Sequence, residues 1–404
     1  MRPSSSIIAC AVTAACVALG LAGCNYAQSY PALPGPGGAP TFPPGTVTEA
    51  PIPTAAATPI GITKGADGNV WFAEQNGDKI AKIVPSTMAI TEYPVPTLPS
   101  APSDVTEGPN GNPNVWFDEV AGNKIGFVTP AGSFTEFNVP TPNAGPIGLT
   151  SDPTGDLWFG EFFAGKIASI TTSGVVTEYP INYGGAPQPD EVTIAPDHSV
   201  WFLDPADNVV GHMTFPGPTF NAYALLTPAN SPEFMTNGAD GNLWFTELGN
   251  PSNGTYCVIG RVNLGPSPTI SEFSNFKFAQ PTPYGDWCLG IAQGSDGNIW
   301  FAETGVGGIG RITSNGTITE WGVPGSGTTA VGLANGPDGD LWFTDGNLGL
   351  PYAIGTNQVG KVQISSLPAL GIRKQWKAHI VTTPLHKVTL HGIERPIPLP
   401  LPMR

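Results

Sequence analysis

In Pro59-Ile60-Gly61-Ile62-Thr63, Asp67-Gly68-Asn69 and Val70-Trp71-Phe72-Ala73-Glu74, two short apolar runs flank an Asp-Gly turn. Asp-Gly between β-formers is the strongest short-range hairpin signal. Lys79-Ile80-Ala81-Lys82-Ile83 and Ile90-Thr91-Glu92-Tyr93 follow, each after a turn, so four short strands with no helical period predict one antiparallel sheet. The Trp-Phe pair followed by a carboxylate recurs seven times: at Trp71 with Glu74, Trp116 with Glu119, Trp158 with Glu161, Trp201 with Asp204, Trp244 with Glu247, Trp300 with Glu303 and Trp342 with Asp345. The tryptophans stand 45, 42, 43, 43, 56 and 42 residues apart, a period at which one unit buries its apolar face only by stacking on its neighbours.

The third-strand pattern occurs seven times, from Ile80 to Val359, but the fourth follows only six of them, from Ile90–Tyr93 to Ile318–Trp321. Thr46-Val47-Thr48-Glu49 precedes the first full repeat, so it should complete the last sheet and hide two open edges. The expected fold is all-β: a seven-bladed β-propeller of four-stranded antiparallel blades over residues 46–364, its ring closed by the N-terminal strand.

Residues 1–24 form an expected secretory signal, with Arg2, an apolar run from Ile7 to Leu21, and Leu21-Ala22-Gly23-Cys24 at the cleavage site. That ending resembles the bacterial lipobox, which implies lipid on Cys24 and an extracytoplasmic chain held to a membrane; an ordinary signal with an incidental cysteine is the alternative. The apolar run is too short for a transmembrane anchor. Residues 25–45, rich in Pro, Gly and Ala, read as an extended tether. Residues 365–404 hold six of the sixteen Lys and Arg but one of the thirty-one acids, three of the five histidines and a Pro-rich end. They read as a disordered basic tail, or as an arm for anionic polymer or lipid.

The formal net charge of −15 leaves no basic face for phosphate, which argues against nucleic acid. Cys10 and Cys16 leave with the signal, so Cys257 and Cys288 remain as one possible disulfide in an oxidising compartment, or as two buried thiols. The chain is expected to be a monomer that takes a small-molecule, peptide or glycan ligand.

Strand order gathers the seven repeated carboxylates at one end of the propeller, where they are either structural or functional. Function should show where the copies differ. The equivalent first-strand positions read Ile60, Ser103, Ile147, Asp190, Glu233, Leu289 and Val331, so two adjacent blades offer acids. Asp190 with Asp204, and Glu233 with Glu247, would then surround one sector, with Glu191 and Gln188 nearby, and hard oxygen ligands of this kind suit Mg²⁺ or Ca²⁺. Solvated rim acids are the other reading. Extra chain at 248–256, 275–287 and 346–358 adds Tyr256, Phe276, Phe278, Tyr284, Trp287 and Tyr352 around the same end. Asp190, Glu191, Glu233, Tyr284 and Trp287 are the candidate ligand-binding residues.

The strings Gly241-Asn242-Leu243-Trp244-Phe245-Thr246-Glu247 and Ile309-Gly310-Arg311-Ile312 resemble the virginiamycin B lyase, or streptogramin lyase, family, over about residues 46–364. The resemblance implies a seven-bladed propeller that opens a cyclic depsipeptide at its ester by elimination, using Mg²⁺ and a histidine base. It also implies Glu-x-His at the thirteenth and eleventh residues before a Trp, with the Glu of Trp-Phe-x-Glu as second metal ligand. This chain has the last Glu many times over but no histidine at any such position. Proton abstraction needs a base within hydrogen-bond reach, so no residue is assigned a catalytic role. Binding at an acidic mouth without turnover is the leading expectation. The alternatives are a Mg-dependent lyase and, by analogy of fold alone, a metal-dependent lactone hydrolase.

Overall fold

The computed structural model describes residues 46–215, 218–227, 231–249, 257–265, 268–274, 287–304, 307–323, 330–346 and 356–366, and the backbone of 376–377 and 379–384. Residues 1–45, with Cys24, lie outside the described residues, as do Tyr256, Phe276, Phe278, Tyr284 and Tyr352.

Seven antiparallel sheets form the ring, and we number them as blades 1 to 7 in chain order. Blade 1 contains Pro59–Lys64, Val70–Glu74, Lys79–Val84 and Ala89–Pro94, paired in that order. Blades 2 to 6 repeat the pattern over 105–138, 146–180, 192–224, 232–274 and 288–322. Blade 7 takes three strands from 330–362 and its fourth from Val47–Pro51, which pairs with Gln358–Val362 from Val47 opposite Val362 to Pro51 opposite Gln358. The N-terminal strand therefore closes the ring, as the count of fourth strands predicts.

The Trp-Phe pair carries the packing. Alternation sends the two rings to opposite faces of the second strand, and six of the seven tryptophans are among the largest fully buried side chains. The indole N–H of Trp71, Trp244, Trp300 and Trp342 donates at 2.9–3.1 Å to the turn aspartate four residues earlier, so Asp67, Asp240, Asp296 and Asp338 fasten the hairpin as well as turning it. Lys82, Arg261, Arg311 and Lys361 lie over these indoles, 5.0–5.6 Å from the ring centres. On the other face the Phe ring lies over a third-strand glycine in five blades, and opposite Ala81 and Ala168 in blades 1 and 3. A Cβ on Gly260 would sit 2.0 Å from Cζ of Phe245, and Gly126, Gly211, Gly310 and Gly360 face their phenylalanines likewise. The Gly of Ile-Gly-Arg thus lets the ring lie directly on the third strand, at a position where blades 1 and 3 fit nothing larger than alanine.

Two features tie blades 5 and 6 together. Cys257, just ahead of the third strand of blade 5, and Cys288, at the start of the first strand of blade 6, form a disulfide with Cα atoms 4.9 Å apart. The expected disordered tail instead supplies two strands: Trp376–Lys377 pairs with the fourth strand of blade 6, and His379–Pro384 with that of blade 5. Main-chain pairing on a free sheet edge needs no apolar pattern, so composition gave no sign of it.

Candidate functional site

The seven repeated carboxylates lie at the predicted end of their strands but do not line an opening. All of Glu74, Glu119, Glu161, Asp204, Glu247, Glu303 and Asp345 are fully buried. In blades 1 to 3 each faces a lysine on the third strand and a second glutamate on the fourth. Lys79 lies 2.7 Å from Glu92, Lys124 2.8 Å from Glu136, and Lys166 2.6 Å from Glu178. The preceding blade's loop caps the arrangement, since the amides of Thr54, Thr97 and Thr141 donate to those fourth-strand glutamates at 2.8, 3.1 and 2.9 Å.

Charge is divided unequally within each trio. Burial pushes Glu74, Glu119 and Glu161 up to about 8, and the neighbouring Glu92, Glu136 and Glu178 add to the rise. Burial raises those partners too, but hydrogen bonds from lysine and threonine outweigh it and hold them below the usual range. A neutral carboxyl, a carboxylate and an ammonium therefore sit together, which is a device for joining blades.

Asp204 belongs to the same series. It accepts the Tyr183 hydroxyl and, at 3.2 Å, the amides of Gln188 and Asp207. Burial raises it to about 6, and the Tyr183 bond acts against that rise. Glu247 is the matching residue of blade 5. The expected set of Asp190, Asp204, Glu233 and Glu247 thus divides between the blade junctions and the axis. Among the described residues no three His, Cys, Asp or Glu stand in position to hold a metal ion.

The axial half of that set gains two residues that the sequence reading missed. Asp104 and Asp118 of blade 2 lie within electrostatic range of Asp190 and Glu191 of blade 4, and Glu233 of blade 5 is the charge that most raises Asp190 after burial. Asp118 is fully buried; its Oδ1 accepts the amides of Ser103 at 2.8 Å and Asp104 at 2.9 Å, while Oδ2 has no partner. Burial lifts Asp104 to about 7 and, with the neighbouring carboxylates, holds Asp118, Asp190 and Glu191 well above the normal range. Glu233 accepts the Ser231 hydroxyl at 2.8 Å.

Local backbone explains why these acids project here. Gly61, Gly148, Gly290 and Gly332 occupy the axial position in four blades, where a Cβ would strike the next blade; at Gly148, φ +66°, it would lie 2.1 Å from the Asp190 carbonyl. Blades 2 and 4 put Asp104 and Glu191 at that position, and their first strands begin only at Val105 and Val192. The opposite arc is apolar. Ile60, Leu248, Leu289 and Val331, from blades 1, 5, 6 and 7, form one buried cluster with the half-buried Phe234 and Trp287 against it.

The described histidines stand elsewhere. His198 is exposed in the far hairpin turn of blade 4, its Nδ1 3.6 Å from Asp152, and His212 stacks on Trp201 with ring centres 4.1 Å apart.

A seven-bladed propeller with this Trp-Phe-x-acid repeat defines a class, and sequence and structure comparisons give it a family. The chain belongs to the virginiamycin B lyase family, whose model matches residues 41–251 and 187–372. A streptogramin B lyase structure is 32% identical over 78% of this chain and 97% of its own, with a TM-score of 0.66. The virginiamycin B lyase of Staphylococcus aureus is 31% identical over 78% and 98%, also with a TM-score of 0.66. A catalytically inactive histidine-to-alanine form of the Staphylococcus aureus enzyme with quinupristin is 30% identical over the same shares, at 0.65. Comparison with curated proteins finds no match.

Proposed function

We propose that this propeller binds a ligand at its axial mouth, between the acids of blades 2, 4 and 5 and the apolar arc of blades 5, 6, 7 and 1, and does not open streptogramins. The observation that carries the reading is the axial register itself. In none of the seven blades does a histidine stand eleven residues before the Trp, where the family resemblance calls for the base. Asp190, raised by burial and by Glu233, is the substitute base that the test has to exclude. Incubating the mature chain with quinupristin and Mg²⁺ and following the mass of the antibiotic should leave the ring intact. A ring-opened product that disappears with Glu233→Gln would overturn the reading in favour of a lyase.

The same proposal places the protein outside the cytoplasm, carried on a membrane by lipid at Cys24 and set off from it by residues 25–45. The Leu21-Ala22-Gly23-Cys24 string supports this, and the Cys257–Cys288 disulfide suits an oxidising compartment. Cys24→Ser should move the protein from the membrane pellet to the soluble fraction of a bacterial host. A substituted chain that still pellets with membranes, and resists salt washing, counts against lipid anchoring.

A further inference from the structure

The tail that borders blades 5 and 6 keeps a fixed step. Trp376 and Lys377 stand opposite Ile318 and Thr317, the second and first residues of the fourth strand of blade 6. Thr383 and Pro384 stand opposite Ile270 and Thr269, the same two places in blade 5. Those fourth strands, Thr317-Ile318-Thr319-Glu320-Trp321 and Thr269-Ile270-Ser271-Glu272-Phe273, match place for place, so passing from one blade to the next moves the tail on by seven residues. Only residue 378 separates the two paired segments.

The sequence keeps the same step beyond the last paired residue. His379-Ile380-Val381-Thr382 is followed seven residues on by His386-Lys387-Val388-Thr389. The tail travels from blade 6 to blade 5, so the next rim in its path is that of blade 4. The fourth strand of blade 4, Thr219–Ala224, has the length and place of its counterpart in blade 5: Phe220 stands opposite Met213 as Ile270 does opposite Val262. Among the described residues nothing pairs with its outer edge. Such an edge presents a row of main-chain donors and acceptors, which takes an extended segment as an added strand.

We infer that residues 386–391, which lie outside the described residues, add a fifth strand to blade 4, antiparallel to Thr219–Ala224. The step of seven fixes the register, with His386 opposite Ala224, Val388 opposite Ala222, Thr389 opposite Asn221 and His391 opposite Thr219. The rim of blade 4 is thus an interaction surface for this chain's own tail, and the tail is a belt over three neighbouring blades. The belt ends there. One more step would bring residues 393–398 to blade 3, and Pro396 and Pro398 in that stretch, with Pro400 and Pro402 after it, have no N–H to give a sheet. None of this depends on what the mouth binds.

The test places cysteines across the assigned register in the mature, full-length chain carrying the Cys257–Cys288 disulfide and Cys24→Ser. Directly opposite residues of an antiparallel pair alternate between hydrogen-bonded and closer, non-hydrogen-bonded sites, and the closer ones suit a disulfide. One of two adjacent pairs should therefore close on mild oxidation: Val388→Cys with Ala222→Cys, or Thr389→Cys with Asn221→Cys. It should give a linked monomer about tenfold faster, or more, than the displaced pair Val388→Cys with Ala224→Cys. Hydrogen exchange followed by mass spectrometry is the second measurement. Val388→Pro with Thr389→Pro in the full-length chain should speed exchange within 219–224 by about tenfold or more and leave 269–274 unchanged. Equal closure of facing and displaced pairs, or exchange within 219–224 that ignores the prolines, overturns the inference. Disulfide-linked dimers in place of linked monomers overturn it as well, because the rim would then take the tail of a second copy.

Discussion

The mature chain should melt at a lower temperature at about pH 8.5 than at about pH 5.5, by roughly 5 °C or more. Glu74, Glu119 and Glu161 hold their protons in the folded ring up to about 8, and Glu49, raised by burial and by Asp345, up to about 7. In the unfolded chain such carboxyls ionise near the ordinary glutamate value, so folding takes up protons throughout the interval between. A raised acid contributes stability that is complete below its unfolded pKa and is lost as pH climbs through its folded one. Each group changes stability by about 1.4 kcal/mol per pH unit inside that interval, and four groups acting together amount to several kcal/mol. Glu92, Glu136 and Glu178 do not oppose the trend, because their depressed values place their own transition below the usual carboxylate range. Glu74→Gln, Glu119→Gln and Glu161→Gln combined mimic the neutral acid and should reduce the slope by the share of these three groups, the remainder coming from Glu49, Asp204 and the raised axial acids. A melting temperature that does not move with pH, or a triple variant with the parent's slope, would show that these carboxyls are ionised in the folded ring.

Gly260→Val should be the most damaging single change in the propeller, costing about 3 kcal/mol or more and giving little soluble protein. Its side chain would begin 2.0 Å from the tip of the buried Phe245 ring, and where blades 1 and 3 do carry a side chain at this position it is only alanine, Ala81 and Ala168. The double variant Gly260→Val with Phe245→Leu should recover part of the loss, measured as soluble yield and as denaturant midpoint, because the clash and its cause are removed together. A single variant as stable as the parent would mean that the blade yields where the packing says it cannot. If the second change adds to the damage instead, the steric account fails.

Both effects arise in parts of the repeat that the sequence makes unequally visible. Trp-Phe at intervals near 43 residues, and one fourth strand too few, were enough to place seven blades and to close the ring with Val47–Pro51. Asp190 and Glu233 could be singled out because they interrupt an otherwise apolar register. Asp104 escaped notice because the hairpin of blade 2 is longer, running through Gly108 to Asn114, and because the informative position is one residue further along, where four other blades have glycine. Asp118 was open to view in the middle of Trp-Phe-x-Glu, where the other copies have Ala73, Gly160, Leu203, Thr246, Ala302 and Thr344. The strand end that holds the repeated carboxylates is legible in the repeat, and so is a structural role for them, but not the side chains they meet. Their lysine and second glutamate come from the next two strands, and which side chains share a face there depends on strand register, which repeat spacing does not report.

The strands at Trp376–Lys377 and His379–Pro384 set where the chain can be cut or extended. A reporter or affinity tag fused after Pro384 would leave every described paired strand in place and emerge at the rim of blade 5. Truncation ahead of Trp376 would strip the border from two neighbouring sheets and leave the rims of blades 5 and 6 as adhesive as any unpaired β-edge. A shortened protein made for crystallisation would then be expected to associate through those rims more than the full-length chain does under the same conditions.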